Sequence, residues 1–117
     1  MKQKKKKIKK KLKLIPSLRE KRHYIVLTVE GKINEDKAKE IINKAILDFI
    51  GILGYAKAGP LFVETGKIKK KSYFIISVTT KYVDKVKASL ALIDEPNLVF
   101  GTVGVSGTIK KSKRFLS

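Results

Sequence analysis

The sequence predicts an α+β fold, a four-stranded antiparallel sheet with two helices on one face. Two observations carry that expectation. β-Branched and aromatic runs alternate with segments whose apolar residues recur every three or four positions, and their order is strand, helix, strand, strand, helix, strand. The chain has 117 residues, 43% of them apolar, which suits one domain with a modest core.

The first strand is the run Tyr24-Ile25-Val26-Leu27-Thr28-Val29, closed by Gly31. Asn34 is placed to cap a helix whose first turn holds Glu35 and Asp36, acids that favour the positive end of a helix dipole. Ala38, Ile41, Ile42, Ala45, Ile46, Phe49 and Leu53 then form one apolar stripe, and Gly54 is a stop signal. After Gly59-Pro60 a second strand covers Leu61 to Glu64, with a turn at Thr65-Gly66-Lys67. A third strand spans residues 72–80, and a second helix spans residues 82–93, with Val83, Val86, Leu90 and Ile93 in register. Asp94-Glu95-Pro96-Asn97 breaks it, and a fourth strand over 98–105 carries Gly101 and Gly104.

Two right-handed crossovers through this order put the first and third strands at the centre, a ferredoxin-like two-layer sandwich. Ile25, Leu27, Val29, Phe74, Ile76 and Val78 then face the helices. Tyr24, Val26, Thr28, Tyr73, Ile75 and Ser77 line the opposite face, which is apolar enough to need a cover from a terminal segment or a partner.

The net charge of +18 is unevenly placed. Residues 1–22 hold 12 of the 28 Lys and Arg; Lys67, Lys69, Lys70 and Lys71 form a second cluster, and Lys110, Lys111, Lys113 and Arg114 a third. The remainder has eight basic and nine acidic residues. Clusters of this kind repel themselves and call for a polyanion, nucleic acid being the usual one. Residues 1–15 read as a basic, disordered arm, 16–109 as one RNA-binding domain and 110–117 as a basic tail.

Several chemistries are excluded or left unsupported. There is no Cys, so disulfides, thiol catalysis and Cys-based zinc sites are out, and one histidine, His23, does not make a metal site. The carboxylates offer no catalytic pair: Glu35 and Asp36 serve the helix start, Asp94 and Glu95 a turn. Val103-Gly104-Val105-Ser106-Gly107 lacks the spacing and the Lys-Ser/Thr ending of a phosphate loop. It also follows the fourth strand and holds no Arg, unlike the loop of acylphosphatases. Tyr24 and Tyr73 could stack bases as RNA-recognition domains do, but the third strand lacks that family's glycines and paired aromatics. They read as open-face or partner-facing residues. No apolar run is long enough to span a bilayer, and the expected location is the cytoplasm.

Ser17-Leu18-Arg19-Glu20-Lys21-Arg22-His23-Tyr24-Ile25 resembles the entry to the archaeal ribonuclease P protein component 2 family. Val103-Gly104-Val105-Ser106-Gly107-Thr108-Ile109-Lys110-Lys111 is similar to that family's ending, and Leu53-Gly54 with Ala56-Lys57-Ala58 fits its middle. The likeness covers residues 15–117. His23 stands where the family tends to have Arg, Thr79-Thr80 where an Arg-Cys pair is common, and the Lys arm is outside the shared pattern.

The resemblance implies a protein subunit that supports an RNA in removing the 5′ leader of precursor tRNA. It implies no cofactor on the protein, a divalent metal such as Mg for the RNA's reaction, and no catalysis by the protein alone. The implied partners are ribonuclease P RNA, the protein component 3 family and other ribonuclease P proteins, with precursor tRNA met indirectly and no membrane. Arg19, Lys21, Arg22, Lys67, Lys69, Lys70, Lys71, Lys110, Lys111, Lys113 and Arg114 are the expected RNA contacts. A ribosomal or general RNA-binding protein is the alternative, and a peripheral membrane protein held by its polybasic arm is a third reading.

Overall fold

The computed structural model describes residues 21–116. The arm of residues 1–15 and Arg19 lie outside them. The elements are β1 (Arg22–Glu30), α1 (Glu35–Ala58), β2 (Leu61–Ile68), β3 (Lys71–Thr79), a 3₁₀ turn (Thr80–Tyr82), α2 (Val83–Ala91), β4 (Val99–Ser106), a short α3 (Ile109–Ser112) and a last 3₁₀ turn (Lys113–Leu116). The sheet runs β2-β3-β1-β4 with every pair antiparallel, the ferredoxin-like order. Ile25, Leu27, Val29, Phe74, Ile76 and Val78 are buried with Ala38, Ile42 and Ile46 of α1 and Val86 and Leu90 of α2. Phe62 meets Phe74 edge-on at 6.0 Å between ring centroids.

Three boundaries differ from the sequence expectation. The long helix does not stop at Gly54. It kinks at Gly51, whose φ of 77° is outside the helical region, and continues to Ala58. Gly59, in the left-handed conformation ahead of Pro60, is the cap: its N–H bonds Tyr55 O at 2.9 Å. The kink shifts the phase of the apolar stripe, so Ile52 and Leu53 are 78% and 77% exposed and Phe49 is half-exposed. Second, β2 runs past the expected turn to Ile68, because Gly66 serves as a strand residue over which the Tyr73 ring lies. The hairpin turns instead at Lys69 and Lys70, with φ of 49° and 70°, the double positive φ of a type I′ turn. Third, the C-terminal segment is folded. Thr108 caps α3 through Lys111 N at 3.1 Å, and α3 packs on β4 and β1.

That segment lies on the sheet face away from the helices. Across its middle row, Glu64, Ile75, Val26 and Gly104 stand side by side on the four strands. Ile75 and Val26 are fully buried, Ser112 is buried with them, and the Phe115 ring sits over Gly104, where a Cβ would come within 2.6 Å of it. The expected cover over this face therefore includes the chain's own C-terminal strap.

Candidate nucleic-acid interface

The fold sorts the basic residues by the ends of the sheet. β1 starts where β3 and β4 finish, since Arg22 pairs with Thr79 and Tyr24 with Ser106. Lys21 and the start of the strap, with Lys110 and Lys111, share that end, while Arg114 falls between Lys113 at Glu64 and Phe115 at Gly104, nearer the middle row. The hairpin carrying Lys67, Lys69, Lys70 and Lys71 is at the other, beside Glu30. The nine residues of β1 separate the two by roughly 27 Å at strand rise. So the hairpin cluster stands apart, and Lys21 and Arg22 are brought to the end where the strap begins.

Backbone contacts build the shared end. Lys21 O accepts Thr80 N at 2.9 Å and the Thr80 hydroxyl at 3.0 Å, while the Thr79 hydroxyl donates to Lys57 O at 3.2 Å. The Thr80 proton is thereby used, so the 2.7 Å contact with His23 has Nδ1–H donating and leaves Nε2 on the side of Gly107. His23 thus has a partner that the sequence did not reveal.

These contacts also gather Lys57, Lys81 and Lys85, which are absent from the set expected on sequence. Lys57 and Lys85 line one cleft with Tyr82, and Lys85 Nζ lies 5.3 Å from the Tyr82 ring centroid. Lys57 is isolated, and Lys81 and Lys85 are separated by Tyr82, Val83 and Asp84, so a search for unbroken runs of charge does not find them. The signal was packing: Lys57 lies within Tyr55-Ala56-Lys57-Ala58, and Lys81 and Lys85 stand on either side of Tyr82, segments that the crossover topology returns to the sheet end where β1 begins.

Not every expected contact keeps its charge free for RNA. Arg22 is half-buried, donating to Ser77 Oγ at 2.6 Å, Ser77 O at 2.8 Å and the Gly59 carbonyl; burial lowers its pKa while Tyr24 raises it. Lys113 Nζ is 2.9 Å from Glu64 Oε1, and Glu64 Oε2 accepts the Tyr73 hydroxyl at 3.1 Å. The hydrogen bond from Lys113 is the main cause holding the Glu64 carboxyl below its ordinary value, and the same bond raises Lys113. Tyr73 is pushed up, first by desolvation and then by Glu64.

Tyr24 and Tyr73 are both on the open face but do not form a stacking platform. Tyr24 pairs with Ser77 and Tyr73 with Thr28, four strand positions or roughly 13 Å apart. Among the described residues there is no group of three or more His, Asp or Glu placed to hold a metal, and no helix long and apolar enough to cross a membrane.

A ferredoxin-like α+β domain with lysine clusters toward both ends of its sheet, and its own strap across the open face, is the class of protein that fold and site define. The comparisons with known proteins narrow the class. Residues 20–117 match the model of the Rpp14/Pop5 family. The chain is 40% identical over 106 residues to ribonuclease P protein component 2 of Thermococcus gammatolerans, covering 86% of this chain and 87% of that one. It is 39% identical to the protein of that name from Pyrococcus furiosus, covering 89% and 90%, and 37% identical to the one from Methanocaldococcus jannaschii, covering 86% and 75%. The chain belongs to the Rpp14/Pop5 family.

Proposed function

We propose that this chain is a protein subunit of ribonuclease P and binds the RNA that removes the 5′ leader of precursor tRNA. The observation that carries this reading is the family membership over residues 20–117, joined to a cationic end formed by Lys21, Lys57, Lys81, Lys85, Lys110 and Lys111, with Arg114 further along the strap. Phosphates spaced along RNA match such an end, and the charge acts without reading sequence. Chemistry belongs to the RNA: the divalent metal, Mg in the first instance, is held there, and the protein positions and neutralises. The protein component 3 family and other ribonuclease P proteins are the protein partners, precursor tRNA is met through the complex, and the site of action is the cytoplasm. The apolar side chains that the Gly51 kink turns outward support a protein contact on the helix layer.

Reconstitution tests it. Added to ribonuclease P RNA and the other protein subunits, the chain raises the rate of leader removal, while the RNA-free chain cleaves nothing. Co-purification with ribosomal RNA, and no effect on leader removal, would place it among general RNA-binding proteins.

A further inference from the structure

We propose that Glu64, an acid on a protein built to meet a polyanion, is a positioning residue for RNA, acting through the C-terminal strap. The inference rests on the RNA-binding role proposed above. The strap's anchors are unequal. On the β4 side it has Phe115 over Gly104 and the buried Ser112, whose hydroxyl bonds Ile109 O at 2.6 Å. On the far side of the sheet, the contact described is Lys113 to Glu64 of β2, at 2.9 Å. A four-residue helical turn has little stability of its own. A second anchor across the sheet therefore fixes its orientation as well as its place.

Glu64 is itself held. Its other oxygen takes the Tyr73 hydroxyl, and the Tyr73 ring is seated over Gly66, where a Cβ would come within 2.6 Å of the ring. The carboxylate is thus an oriented acceptor and not a free surface acid. Lys110, Lys111 and Arg114 are exposed on the same two turns that Lys113 pins. Cations held in place lose less freedom on meeting phosphate than cations on a loose end.

The sign of one substitution separates this from ordinary electrostatics. Glu64→Gln removes a negative charge and releases Lys113, so charge alone predicts tighter RNA binding and a steeper salt dependence. A positioning role predicts the reverse: roughly threefold or greater loss of affinity, with a shallower slope, because the strap's cations become disordered. Tyr73→Phe, which leaves the charge untouched, should move affinity the same way by less. Glu64→Lys alone should also weaken binding despite the gain in positive charge. Adding Lys113→Glu rebuilds the pair at the original net charge and restores it.

The experiment is a titration of the full chain and these four variants with ribonuclease P RNA and with an unrelated RNA duplex, at several salt concentrations, alongside thermal melts. Weaker binding by Glu64→Gln with recovery in the reversed pair supports the proposal. Equal or tighter binding by Glu64→Gln overturns it while leaving the RNA-binding role standing. No binding of either RNA by the unaltered chain overturns both. If Glu64→Gln melts too low to titrate, Tyr73→Phe and the reversed pair decide, and unchanged affinity in Tyr73→Phe with no recovery in the pair counts against it.

Discussion

Replacing Arg22 by Ala takes donors away from Ser77 and from the Gly59 carbonyl at the helix cap. Charged hydrogen bonds are worth roughly 1.5–3 kcal/mol each when a partner is left unmet, so the expected loss of stability is of that order. Lys21, exposed one position earlier, should behave oppositely: Lys21→Ala leaves the melt alone and costs RNA affinity. Thermal unfolding of both variants beside one RNA titration checks the pair. The strap should also respond to pH. Glu64 titrates below its ordinary value in the folded chain, so its stabilising contribution is complete above the unfolded value and is lost as pH falls through the folded one. Lys113 is raised, so its share is complete below its unfolded value and is lost as pH rises through the folded one. Protease cutting within residues 108–116 should be slowest between these limits and speed up at both ends. A rate flat from acid to neutral pH would show that the pair does not hold the strap.

Among the elements, the strap is the one whose removal tests the packing most directly. Ending the chain at Gly107 uncovers Val26 and Ile75, both fully buried at the centre of the open face. Exposing an aliphatic side chain costs about 1.5–3 kcal/mol, so removal of the strap should lower stability by a few kcal/mol and raise the binding of an apolar dye. A melt unchanged by truncation would mean that the cover lies elsewhere. The need for a cover on this face is legible in sequence, from the alternation of Val26 and Ile75 with Ile25, Leu27 and Ile76. That Phe115 provides it is not, because a short basic end carries no period, and a Gly such as Gly104 does not announce the ring that will sit on it. The end of the long helix is illegible for a related reason. Gly51, Gly54 and Gly59 are all candidate stops in sequence, and tertiary packing decides which bends, which stays helical and which caps. The six main elements are legible because their periods are strong. The candidate site is legible only in part: runs of lysine stand out, whereas Lys57 of α1, Lys81 of the 3₁₀ turn and Lys85 of α2 come together only when those elements pack.

Over the described residues, 48 Å in their longest extent, charge is concentrated toward two ends of the sheet. Changing Lys57, Lys81 and Lys85 to Gln should flatten the salt dependence of RNA affinity by roughly 0.7–0.9 for each phosphate no longer neutralised, without lowering the melt. Changing Lys69, Lys70 and Lys71 tests the hairpin end in the same way, and the two sets should add, since roughly 27 Å exceeds a screening length of about 8–10 Å. Titrations across salt for the two triple variants and their combination would reveal any failure of additivity. The edges of the sheet carry a consequence of a different kind. Val63 on β2 and Val103 on β4 each fall at a break in register, so both outer strands bulge, one on each side of the Val26–Ile75 row. A bulge twists the outer row of N–H and C=O groups away from the flat, regular ladder that a strand from another molecule would need. The protein's outer strands are thereby poor templates for edge-to-edge growth, so concentrated samples should resist fibre formation even in salt that screens their mutual repulsion.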